Sequence, residues 1–114
     1  MSDLKIVFHV NDNDRWPFTI RAARNLVSAG EGATVAVVAN GAAIRSFSQL
    51  EADAARFAKI KELYDEGVRF VVCRTAMKER QVREELIPEY VEVVPVGIVE
   101  IAKLQAEGYG YIKA

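Results

Sequence analysis

Short apolar runs recur along this chain, and each but the last is followed by a stretch patterned as a helix. Leu4–Val10, Thr34–Ala39, Val68–Cys73, Val91–Val94 and Tyr109–Ile112 are rich in β-branched and aromatic residues, the signature of strands. Thr34-Val35-Ala36-Val37-Val38-Ala39 shows no polar alternation, as expected of a strand covered on both faces in a parallel sheet. Between the runs, Pro17 suits a first helical turn, with Phe18, Ala22, Leu26 and Ala29 at helical spacing and Gly30 and Gly32 closing the segment. Ser48 and Glu51 read as a capping box ahead of a helix whose inner side is Leu50, Ala54, Phe57, Ile60 and Tyr64, stopped by Gly67. A basic helical piece spans Arg74–Arg83, and an apolar helix runs from Gly97 to Glu107, ended by Gly108. Regular alternation of this kind predicts βαβ units and a mainly parallel sheet between layers of helices.

The 114 residues suit a single domain over 1–114 that needs no metal or disulfide staple. Apolar residues make up 51% and charged residues 27%, a globular rather than a disordered balance. Fifteen Lys+Arg against 16 Asp+Glu leave a net charge of −1, too little field for binding nucleic acid or an acidic membrane. The longest uncharged stretch, Gly32–Ile44, is too short and polar to span a bilayer, and Met1–Lys5 lacks the layout of a signal peptide. With one cysteine the chain can form no internal disulfide, so a cytoplasmic protein with Cys73 as a free thiol is expected.

Right-handed crossovers would gather the strand-to-helix loops at one sheet edge, where ligands of open α/β sheets bind. The candidates there are His9–Asp14, Asn40-Gly41, Cys73-Arg74-Thr75 and Pro95-Val96-Gly97. Cys73 is the chain's soft nucleophile. A helix starting just after it would turn unpaired N–H groups and a dipole's positive end toward the sulfur, and Arg74 and Lys78 add cations four residues apart. All of these favour the reactive thiolate. The plainer alternative is a cysteine that merely ends a buried strand.

Other chemistries fit less well. Without Cys-x-x-Cys there is no dithiol cycle within the chain, although a lone thiolate can carry sulfur as a persulfide. A cysteine hydrolase needs an imidazole base, and the single histidine, His9, sits on an apolar strand where a structural role is the alternative. Asp12 and Asp14 resemble the acidic loop of phosphoacceptor domains, but Cys73 occupies the position where those domains need a carboxylate. No metal-ligand spacing and no glycine-rich phosphate loop occurs, so no metal and no cofactor is expected. Asn40-Gly41 reads as a turn. Arg80 and Arg83 interleave with Glu79, Glu84 and Glu85 and read as a solvated face. The last helix is apolar on more than one side, through Ile98, Val99, Ile101, Ala102, Leu104 and Ala106, which calls for burial against the core and, in part, another subunit.

Several segments together resemble the DsrE/DsrF-like family of small sulfur-relay proteins. They are Val7-Phe8-His9-Val10, Val37–Arg45, Gly67–Thr75, Val94–Ile101 and, most distinctively, the tail Gln105–Lys113, where Ala114 replaces an expected proline. The resemblance implies a three-layer α/β/α fold around a five-stranded parallel sheet, assembled as trimers or hexamers. It also implies a cysteine after a central strand that accepts persulfide sulfur and hands it to a partner, matched here by Cys73. The expectation is therefore a cytoplasmic, homo-oligomeric sulfur carrier of sulfurtransferase type, exchanging sulfur with a donor or acceptor protein. Cys73 would hold the sulfur, with Arg74, Thr75, Lys78, His9, Asn40, Gly41 and Gly97 lining the cleft. The alternative is a non-catalytic oligomeric module that binds a small anion or a partner protein there.

Overall fold

The computed structural model describes residues 4–30 and 32–114. Met1 to Asp3, on which part of the signal-peptide reading rests, and Glu31 lie outside the described residues. Strands β1 (Lys5–Val10), β2 (Thr34–Ala39), β3 (Arg69–Cys73), β4 (Val91–Val94) and β5 (Gly110–Lys113) form one sheet in the order β4-β3-β2-β1-β5. Every neighbouring pair is parallel. Helices α1 (Trp16–Ser28), α2 (Ala54–Asp65), α3 (Arg74–Glu79) and α4 (Gly97–Ala106) lie in the connections, with short 3-10 segments at Asn13–Arg15, Gly41–Ser48 and Glu84–Leu86.

Strand alternation sorts the apolar side chains into two clusters. Phe8, Val10, Val35, Val37, Ala39, Phe70 and Val72 meet Trp16, Ile44, Phe47, Phe57, Ile60 and Leu63 from α1, the Gly41–Ser48 segment and α2. Val7, Ala36, Val38 and Val71 face the opposite way, against Ile101 and Leu104 of α4. The chain thus steps from β1 to β4 with its helices on one face and returns to β5 with α4 on the other, the arrangement right-handed crossovers demand. This is the expected three-layer α/β/α architecture. Among the described residues no helix is long and apolar enough to cross a membrane.

Local details differ from the periodicity. No capping box forms: Ser48 Oγ donates to the Arg45 carbonyl at 2.8 Å, and α2 opens only at Ala54. Gly41–Ser48 is not a simple turn but a 3-10 segment that buries Ala43, Ile44, Ser46 and Phe47. It is pinned by a polar knot in which Ser46 Oγ lies 2.9 Å from both Asn13 Oδ1 and Asp53 Oδ2 and accepts from Arg56 Nη1 at 2.6 Å. Gly41 begins it at φ 53°, and a Cβ there would come 3.0 Å from the Asn11 carbonyl oxygen, so glycine is required.

In α1 the buried residues are Trp16, Thr19 and Ala23, with Phe18, Ala22 and Leu26 at the margin and Ala29 exposed. The rotation follows Trp16, whose indole N–H donates to the Ala43 carbonyl at 2.9 Å. In α2, Leu63 rather than Tyr64 is buried. Helix α3 stops at Glu79, short of Arg83, because Gln81 takes φ 57°, which an α-helix cannot continue.

Candidate functional site

Cys73 ends β3 and caps α3. Its Sγ accepts the Ala76 backbone N–H at 3.4 Å, and the residue is only 5% exposed. Thr75 secures the neighbouring loop, since its backbone N–H and its Oγ1 both donate to the Pro95 carbonyl, at 3.3 and 2.9 Å. That loop leads into Gly97, the first residue of α4. A Cβ on Gly97 would lie 3.2 Å from Cys73 Cβ, 3.3 Å from Val38 Cγ1 and 3.6 Å from Asn40 Cβ. The absent side chain therefore lets the start of α4 close directly over the cysteine. It also places Cys73 and Asn40 on one face of adjacent strands, consistent with the pairing of Ala39 with Val72 just before them.

The same face continues across β1 and β5. His9 is buried, with Nε2 2.8 Å from Asn40 Oδ1 and Nδ1 2.7 Å from the Tyr111 hydroxyl. Asn40 stands where a side chain would cap the 3-10 segment, yet it makes no cap bond. Its oxygen serves His9 instead. Both ring nitrogens of His9 are thus engaged, and neither is left to act as a base for Cys73. Tyr111 was not singled out individually from the sequence. Only its place in the distinctive tail marked it, because its contact depends on β5 lying beside β1. That junction is where the strand order reverses, the position at which open α/β sheets form their crevice.

The guanidinium of Arg74, one of the two cations expected beside the sulfur, is engaged by Glu84. The Arg74 guanidinium binds it through two bonds of 2.9 and 3.2 Å. Arg74, with Lys78 adding its charge, holds the Glu84 carboxyl below its ordinary range. The physical reason is proximity: Glu84 follows the short helix closely and offers a fork-shaped acceptor to a planar donor. Arg80 pairs with Glu79 and Arg83 with Glu85, in keeping with a solvated face. In the acidic loop, Asp12 Oδ1 accepts the Asp14 N–H at 3.0 Å, a backbone-capping role.

Groove size does not single out this corner. A larger groove, about 540 Å³, lies between α1 and α2 on the opposite face, and two of its three arginines are already paired, Arg24 with Glu62 and Glu66 and Arg56 with Asp53. Close to the cysteine, a cleft of about 250 Å³ runs along Val94, Pro95, Val96, Val99, Glu100 and Lys103. Helix α4 buries Gly97, Ile101 and Leu104, but within one chain Ile98 and Val99 remain 62% and 50% exposed.

The solved structure of a protein of unknown function, MTH1491, from Methanobacterium thermoautotrophicum superimposes with a TM-score of 0.86 at 27% sequence identity. The match covers 98% of this chain and 100% of that one. No curated protein matches this sequence. The family model for the DsrE/DsrF-like family matches residues 5–114, which include every residue of the corner described above. This chain therefore belongs to the DsrE/DsrF-like family, a family associated with sulfur relay.

Proposed function

We propose that the protein is a sulfur carrier of sulfurtransferase type in which Cys73 accepts a persulfide sulfur from one protein and passes it to another. The observation that carries this reading is the placement of the chain's one cysteine. It ends a central strand, caps the following helix through the Ala76 N–H, and sits beneath the side-chain-free Gly97. In the loading step the Cys73 thiolate attacks the outer sulfur of a donor persulfide, R–S–SH. A new S–S bond forms, the donor's S–S bond breaks, and the electron pair leaves with R–S⁻. Cys73–S–SH remains, with no net oxidation. Delivery is the same exchange onto an acceptor thiolate, which regenerates Cys73–S⁻. The lone thiol suits the reducing cytoplasm. The outward Ile98 and Val99 suit a homo-oligomer, a trimer or hexamer, in which a second copy covers α4.

The test is to treat the protein with a low-molecular-weight persulfide and record intact mass. The expected product is one added sulfur atom on the wild type and none on Cys73→Ser; an unchanged wild-type mass refutes the carrier reading. The low exposure of Cys73 favours a second reading, a non-catalytic module that binds a small anion or partner at the same edge. Slow alkylation of native Cys73 together with thermal stabilisation by an anionic metabolite supports that reading.

A further inference from the structure

Four side chains stand in line across four neighbouring strands: Tyr111 on β5, His9 on β1, Asn40 just past β2 and Cys73 on β3. The chemistry of the first three sets the direction of their hydrogen bonds. Asn40 Oδ1 can only accept, so His9 Nε2 carries the proton in their 2.8 Å bond. In the neutral ring Nδ1 is then an acceptor, and the Tyr111 hydroxyl donates to it at 2.7 Å. Tyr111 thereby selects the tautomer, and His9 holds the amide of Asn40 by its oxygen. The other end of that amide, Nδ2, has no partner among the described residues and keeps two N–H donors. Asn40 lies one strand spacing, about 4.8 Å, from Cys73 on the same face.

We infer that Asn40 donates from Nδ2 to the sulfur anion on Cys73, and that Tyr111 and His9 are positioning residues that hold it in the donating orientation. This inference rests on the carrier reading and goes beyond it by assigning a neutral donor to the sulfur anion. After loading, Cys73–S–SH loses its proton to solvent, and the negative charge rests on the outer sulfur. A neutral amide donor at the cleft edge stabilises that charge without pairing so strongly that the sulfur cannot leave. The bond to His9 also explains why a residue suited to capping withholds its side chain from the cap.

The inference is tested by loading wild type, Asn40→Asp, Tyr111→Phe, His9→Gln and His9→Leu with the same small persulfide, following yield and decay by intact mass. Imidazole nitrogen NMR reports the His9 tautomer in each histidine-containing protein. Asn40→Asp replaces the donor end with an anion, and loading is expected to fall by about 100-fold, the scale of losing one anion-hole donor. Tyr111→Phe is expected to lower loading several-fold and to change the imidazole spectrum. His9→Gln, which keeps a donor for Oδ1, is expected to exceed His9→Leu. Circular dichroism and melting temperature identify variants that have merely lost the fold. Wild-type loading shared equally by folded Asn40→Asp overturns the inference and leaves the carrier reading intact. A wild-type His9 protonated on Nδ1 rather than Nε2 also overturns it, since the amide would then be reversed. Failure of wild type to load refutes the carrier reading, and this role with it.

Discussion

Replacing Gly97 by alanine opposes two effects whose sizes can be worked from the structure. Gly97 is the first residue of α4, and alanine there would gain about 0.5–1 kcal/mol from reduced chain entropy. Against this, the new Cβ would sit 3.2 Å from Cys73 Cβ and 3.3 Å from Val38 Cγ1, inside the ordinary 3.5–4.0 Å carbon separation. Neither neighbour is the end of a flexible chain. Both stand on buried residues of central strands, so α4 must lift by a few tenths of an ångström. Overpacking of this kind costs about 1–3 kcal/mol, so the net effect should be a loss of about 1 kcal/mol. In a chain of this size that lowers Tm by about 4 °C. Urea unfolding at fixed protein concentration measures it, and a cycle with Val38→Ala isolates the steric part, expected as a favourable coupling of about 1 kcal/mol. A Gly97→Ala protein more stable than wild type, or one uncoupled from Val38, refutes the close-approach argument.

Three further outcomes follow from the packing and the charges. Trp16→Phe removes the buried indole donor to the Ala43 carbonyl and part of the ring volume, and should cost about 2–3 kcal/mol in urea unfolding; a loss under about 0.5 kcal/mol contradicts the role given to that bond. Asp53 is held below its ordinary value of 3.8 chiefly by the Gln49 amide, with Ser46 and Arg56 helping against partial burial. Its ionised form therefore stabilises the fold at neutral pH, and that contribution is lost as pH falls through the lowered value. Wild type and Asp53→Asn should differ most above about pH 5 and converge toward about pH 2, whereas a constant gap in Tm refutes the assignment. If a second copy covers α4 as proposed, wild type should sediment as more than one chain, and changing Ile98 and Val99 together to aspartate should reduce the mass to that of one chain with helix content unchanged; a single-chain wild type, or a variant that still assembles, refutes that contact.

Much of the fold was legible because its signal is local. Val35–Ala39 is apolar at every position, and only a strand covered on both sides makes sense of that. The helix of Gly97–Ala106 was bounded by glycine at each end, and the structure places it within a residue of expectation. The failures are equally physical. Ser48 and Glu51 match a capping box in type and spacing, but Ser48 found the nearer Arg45 carbonyl once Phe47 and Ile44 were drawn into the core. Leu63 and Tyr64 are adjacent and both apolar enough to be buried, and only the angle of α2 on the sheet chose between them.

For the site, the order of strands was the missing information. Spacing along the chain brought forward Cys73, His9, Asn40 and Gly97 because each sits at a strand end or loop. It could not say that β5 lies beside β1, and so it could not pair Tyr111 with a histidine 102 residues away. It offered Arg74 as a cation for the sulfur but could not show the two-bond fit that commits its guanidinium to Glu84. Residue types and their periodicity carry burial and element identity, since these depend on a few neighbours along the chain. Which donor meets which acceptor depends on separations of an ångström or less between distant segments, and those exist only once the sheet has assembled.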